Sequence, residues 1–109
     1  MENEYGAKLD RNGYAPSLLS CAEECFICGR TNGKLDRHEV YGGALRTKSK
    51  NYGCWCLLCH EPCHLTTIHQ NAAERLKLRA ICQREAMRYY GLSTEEFIKR
   101  FGRNYLDAE

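Results

Sequence analysis

The chain has 109 residues, 43% of them hydrophobic and 28% charged, so it makes one domain whose modest core needs a further staple. A formal charge of +2 is too small to argue for nucleic acid by itself, and no apolar run approaches the roughly 18 residues of a membrane span. Eight cysteines could supply disulfides. The opening Met1-Glu2-Asn3-Glu4-Tyr5 leads into no apolar signal segment, however, so the expected compartment is the reducing cytoplasm, where clustered Cys and His bind metal more often than they form bridges.

Residues 1–17 are polar, contain Gly6, Gly13 and Pro16, and show no sustained periodicity. They read as a flexible or weakly docked arm ahead of a domain over 18–109. Ser17 to Glu24 is expected to form a short helical turn that sets Cys21 one turn before Cys25, as a bystander or a substitute ligand. Cys28-Gly29 then makes a tight reversal. Leu35 to Tyr41 reads as a strand in which His38 and Glu39 point to opposite faces, broken by Gly42-Gly43. Tyr52 to Leu58 reads as a second, largely buried strand. Between them Arg46-Thr47-Lys48-Ser49-Lys50-Asn51-Tyr52 holds no acidic residue, which gives a hairpin with a long basic loop.

The last third is more regular. Asn71 can cap a helix whose stripe of Ala72, Leu76, Ala80, Gln83, Met87 and Tyr90 should face the core, stopped by Gly91. Ser93-Thr94-Glu95-Glu96 is a capping box that opens a second helix through Phe97, Ile98 and Phe101 to Gly102. Gln83, the one polar residue of the first stripe, should satisfy a buried backbone group or orient a site histidine. Arg75, Lys77, Arg79, Arg84 and Arg88 recur on the first helix, as a solvated face or a basic one.

The chemistry concentrates in two clusters. Cys25-Phe26-Ile27-Cys28-Gly29 is a knuckle, and about thirty residues later comes Cys59-His60-Glu61-Pro62-Cys63-His64. Zinc in a structural role prefers thiolates and imidazoles in a closed tetrahedron, so Cys25, Cys28, Cys59 and Cys63 are the first-choice set. A helical turn beginning at Cys59 would place Cys59 and Cys63 on one face. Cys56 with Cys59, or a mixed Cys/His set, are the alternatives. His64 and His69, two histidines after a knuckle, read as ligands of a further metal, as zinc ligands or as surface residues, and His60 as a bystander.

Leu35-Asp36-Arg37-His38-Glu39-Val40-Tyr41-Gly42-Gly43-Ala44-Leu45-Arg46, with Ser49, Tyr52-Gly53, Leu58-Cys59-His60-Glu61, Cys63-His64 and His69-Gln70-Asn71, resemble phage-encoded HNH-like proteins of the ββα-metal, treble-clef class. The ending Phe101-Gly102-Arg103-Asn104-Tyr105-Leu106 is similar too, and the resemblance spans about residues 25 to 106. It implies an α+β fold: a small zinc-stapled ββα-metal domain in which a hairpin packs on a helix, followed by C-terminal helices. It also implies a second divalent ion (Mg2+, Mn2+, Ni2+ or Zn2+) beside the structural Zn2+, and DNA as partner.

In HNH enzymes a strand histidine takes a proton from water while the metal polarises the phosphate. Family members often carry two adjacent histidines at that strand position, and this chain has His38-Glu39. In one alignment His38 is a ligand and Glu39 stands at the base position; in the other His38 is the base. The asparagine of the HNH name falls at Cys54 here, with Asn51 and Asn71 nearby. The implied function is a metal-dependent endonuclease of phage or mobile-element DNA metabolism, in the cytoplasm of a bacterial host. His38 and Glu39 would be catalytic, His64 and His69 metal ligands, and Arg37, Arg46, Lys48 and Lys50 phosphate contacts. The alternative is a nonenzymatic HNH scaffold that binds DNA or a host protein.

Overall fold

The computed structural model describes residues 1–106, so the last three residues of the domain read as 18–109 lie outside the described residues. The fold is a small α+β arrangement of β1 (Leu35–Glu39), α1 (Arg46–Asn51), β2 (Trp55–Cys59), α2 (Ala72–Tyr90) and α3 (Thr94–Phe101). A wide-turned, π-type segment, His60–Ile68, joins β2 to α2 and is interrupted at Glu61, whose φ −131° and ψ 135° are extended. No helix among the described residues is long and apolar enough to cross a membrane.

β1 and β2 form one antiparallel pair in which Leu35 faces Cys59, His38 faces Cys56 and Glu39 faces Trp55. Beyond the ladder Val40 N–H still donates to Cys54 O at 3.0 Å, so the chain stays extended almost to the expected end of the first strand. The stretch between the strands is not an open basic loop. Arg46–Asn51 folds into α1, anchored by the fully buried Ser49, whose Oγ accepts from Tyr41 N–H at 2.9 Å and donates to Tyr41 O at 2.8 Å. One hydroxyl thus ties the helix to the end of β1, a bond that composition does not reveal.

The helical turn expected over Ser17 to Glu24 does not form, because its polar groups are committed elsewhere. Ser17 Oγ donates to Trp55 O and accepts from Ser20 N–H at 2.9 Å, Leu18 N–H reaches Gly53 O at 2.9 Å, and Ser20 Oγ accepts from Leu57 N–H at 3.1 Å. Phe26 N–H then donates to Leu57 O at 2.8 Å. This segment runs along the outer edge of β2 and covers backbone groups that would otherwise invite pairing with another chain. Residues 1–17 lie against the same structure: Ala15 is buried, its N–H donates to Lys50 O at 2.9 Å, and its O accepts from Trp55 Nε1 at 2.7 Å.

α2 begins where Asn71 accepts from Glu74 N–H at 3.1 Å and stops at Gly91, whose φ of 67° suits a residue without Cβ. Its buried face is wider than the expected stripe. Ala80 and Gln83 are buried with Leu78, Cys82 and Ala86, Leu76, Met87 and Tyr90 pack half-buried beside them, and Ala72 is exposed. The helix is covered on two sides. The hairpin reaches it through Tyr41, whose hydroxyl donates to Arg79 O at 2.6 Å, and the C-terminal chain through Tyr105, whose N–H donates to Gln83 Oε1 at 2.7 Å. Gln83 therefore satisfies a buried backbone group. α3 carries the capping box of Ser93 and Glu96 and buries Phe97 and Phe101, which stack at 4.7 Å beneath Tyr41.

Gly53 precedes β2 at φ 73°, and a Cβ there would stand 2.3 Å from Pro16 O. Backbone strain and a backbone clash together should make Gly53→Ala cost at least about 2 kcal/mol. Urea denaturation measures this, and an unchanged midpoint would refute the close approach of the N-terminal segment to β2.

Candidate metal centre

The four cysteines of the first-choice set converge. The sulfurs of Cys25, Cys28, Cys59 and Cys63 all lie within 4.8 Å of one another, close enough to hold a metal ion and compatible with structural zinc. Four thiolates at about 2.3 Å from a tetrahedral ion would be about 3.8 Å apart. Cys28 Sγ and Cys59 Sγ are 3.8 Å apart. The knuckle is shaped by Gly29 at φ 77°, whose N–H donates to Cys25 O at 2.8 Å, while Cys59 ends β2 and Cys63 lies in the π-type segment. Burial opposes ionisation of Cys25, but the N–H groups of Cys28, Cys59 and Ile27 bring its thiol down to about 6. Burial and hydrogen bonding within the thiol cluster instead push Cys63 up. Cys56 and Cys54 are buried in the core, and Cys21 is exposed and outside the set.

A second constellation sits on one face of β1. The ring nitrogens of His38, His64 and His69 lie within 4.8 Å of one another. Ring centroids are 5.4 Å apart for His38 and His64, and 4.5 Å for His64 and His69. His38 is delivered by β1, His64 by the residue after Cys63, and His69 by the end of the π-type segment. Burial, and then the charges of His64 and His69, lower His38 to about 4. At neutral pH its imidazole is uncharged and keeps a lone pair for a metal or a proton.

Two residues of this site, Asp36 and His60, carry no site role in the sequence reading. Asp36, two residues before His38 and so on the same face of β1, accepts at Oδ2 from His60 Nδ1 and from His64 Nδ1, each at 2.7 Å. The spacing of Asp36 and His38 was the available signal. Burial acts against the Asp36 carboxylate, but the hydrogen bonds from His64 and His60 hold its carboxyl below the usual range. His60, read as a bystander, is thereby part of the network.

Glu39 lies on the opposite strand face from His38. Its carboxylate is 8% exposed and takes Arg46 Nε at 2.6 Å, and it is not part of the histidine cluster. It does join His38, His64, His69, Arg37 and Arg46 in lining a cleft of about 350 Å³. Neither Asn51 nor Asn71 lines this cleft; Asn71 caps α2, and Asn51 O accepts from Asn3 Nδ2 at 2.8 Å.

The four basic residues expected at phosphates all have intramolecular contacts. Arg37 pairs with Asp10 at 3.1 Å and lies over Tyr14 at 4.4 Å and Trp55 at 5.0 Å. Lys50 Nζ sits 4.8 Å from the Tyr14 ring centre, and Lys48 Nζ donates to Arg100 O near the end of α3 at 2.6 Å. Arg37 and Arg46 are the two at the rim of the cleft.

The chain matches no protein-family model, no curated protein and no solved structure.

If the sulfur cluster holds the fold, metal binding there contributes on the order of 10 kcal/mol to folding. Cys25→Ser or Cys63→Ser should then lose the bound ion and unfold or aggregate, whereas Cys21→Ser should keep about one tightly held ion per chain. Elemental analysis combined with circular dichroism measures both. Folded, metal-free Cys63→Ser protein would refute the dependence.

Proposed function

We propose that this chain is an HNH-like, metal-dependent endonuclease that hydrolyses phosphodiester bonds in DNA, on a ββα-metal, treble-clef scaffold stapled by zinc, in phage or mobile-element DNA metabolism. The observation that carries the reading is the convergence of His38, His64 and His69 on a cleft rimmed by Arg37 and Arg46. A divalent ion bound there would polarise a phosphate and compensate the charge of the leaving oxygen. A three-histidine set leaves coordination positions for substrate and water, unlike a closed four-sulfur site.

The remaining work falls to the side chains. Arg37 and Arg46 position the phosphate by charge-assisted hydrogen bonds, which orient without reading sequence. The closeness of the His38 nitrogen to those of His64 and His69 favours His38 as third ligand. Glu39 then takes the proton of the attacking water. Arg46, 69% exposed, must give up Glu39 to a phosphate for that carboxylate to act as base. The same ion pair favours the second reading, a nonenzymatic HNH scaffold that binds DNA or a host protein, because a carboxylate held by an arginine is a poor base.

Cleavage of plasmid, single-stranded and branched DNA with magnesium, manganese or nickel separates the two. The nuclease should cut at least one of these substrates. His64→Ala should abolish cutting while the sulfur-bound ion stays, and Glu39→Gln should slow it by about 100-fold or more if Glu39 is the base. Replacing Arg46, Lys48 and Lys50 together by alanine should reduce the salt slope of DNA binding by about one unit for each phosphate left unneutralised. Folded, metal-loaded protein that cuts none of the substrates with any of the ions would overturn the enzyme reading. DNA binding in that case would favour the scaffold.

A further inference from the structure

We propose that Asp36 is the positioning residue of the histidine cluster: its carboxylate holds His64 in the Nδ1–H tautomer and so presents Nε2 as the atom that binds metal. The inference rests on reading His38, His64 and His69 as ligands of one divalent ion. An ionised carboxylate can only accept hydrogen bonds. The 2.7 Å contact from His64 Nδ1 to Asp36 Oδ2 therefore requires a proton on Nδ1, which leaves the lone pair on Nε2. A histidine ligand whose other nitrogen donates to a carboxylate is oriented and made more basic by it.

Asp36, His60 and His64 also lie within 4.8 Å of one another, so they could be read as a metal site of their own. The distances decide against it. Nitrogen and oxygen ligands at about 2.0–2.2 Å from an ion are about 3.3 Å apart in a tetrahedron and about 2.9 Å apart at right angles. Both histidine contacts to Asp36 Oδ2 are 2.7 Å, the length of a charge-assisted N–H···O bond. Asp36 Oδ2 is thus occupied by two donors rather than open to a cation.

The carboxylate is itself held. β1 presents it on the same face as His38, its side chain is 12% exposed, and Lys34 Nζ stands 3.8 Å from Oδ1. His60 supplies the second donor, and its backbone N–H is fixed to Lys34 O at 3.0 Å. His60 is 43% exposed at the side chain against 16% for His64, so it steadies Asp36 from the solvent side.

The test uses full-length protein with its sulfur site loaded, 15N-labelled at histidine, with Co2+ as the probe of the histidine site. Long-range 1H–15N correlation spectra should show His64 as the Nδ1–H tautomer before Co2+ is added. Asp36→Leu should release that tautomer and weaken Co2+ binding roughly 10- to 100-fold, with the sulfur-bound ion and circular dichroism unchanged. Asp36→Asn, which keeps a carbonyl acceptor but not the charge, should retain the tautomer and lose less affinity. His60→Ala should stay within a few-fold of the unmodified protein.

An Asp36→Leu protein that keeps both the tautomer and the Co2+ affinity would overturn the proposal. So would Co2+ binding lost in His60→Ala, since Asp36 would then be a ligand. Should Asp36→Leu fail to fold, unchanged Co2+ affinity in Asp36→Asn overturns it. If the unmodified protein binds no Co2+ at its histidines, the ligand reading fails, and the His64 tautomer still reports on Asp36 independently.

Discussion

The meeting of Cys25 and Cys28 with Cys59 and Cys63 is the contact on which the rest of the structure depends. A sheet of two five-residue strands is marginal in water without further support. The sulfur cluster joins the knuckle ahead of β1 to the end of β2 and to the segment beyond it. It lies at the end of the hairpin where Leu35 faces Cys59, and an ion bound there would hold that register. A slip of one residue would turn His38 and Asp36 to the wrong face. The aromatic packing of Tyr41, Phe97, Phe101 and Tyr105 supports the other side of the hairpin, and among the described residues it makes no ring contact with the π-type segment.

Strand alternation then divides the chemistry. Asp36 and His38 lie on one face of β1 with His60, His64 and His69, whereas Arg37 and Glu39 lie on the other with Asp10, Tyr14 and Arg46. The histidine face gathers imidazole nitrogens backed by one carboxylate, a suitable surround for a divalent ion. The second face holds cations already balanced by Asp10 and Glu39. Any anion that enters the cleft must compete with those carboxylates for Arg37 and Arg46.

Much of this frame was legible because the signals were local. The Cys-x2-Cys-Gly knuckle, the Asn71 cap, the Gly91 stop and the Ser93 capping box each need only a few neighbouring residues. What the sequence did not show depends on contacts between distant ones. Ser49 stabilises α1 by bonding Tyr41, and Arg46 to Asn51 has too few residues to reveal a helix by periodicity. Ser17 and Ser20 serve the edge of β2 instead of a helical turn. The Asp36 network escaped notice because its partners are 24 and 28 residues away, although the two-residue spacing to His38 was visible.

Cys63 and His64 are consecutive, yet one belongs to the sulfur cluster and the other to the histidine cluster. Successive side chains of this short segment serve different clusters, so a movement of the segment on binding at one would carry to the other. Such coupling is reciprocal: whatever free energy an ion at the sulfurs contributes to placing His64, an ion at the histidines returns to placing Cys63. Asp36 stands between the two effects, because it grips His64 from β1 and His60 from the residue after Cys59. If an ion at the sulfurs staples the fold, the same ion would also help to place His64 beside His38 and His69.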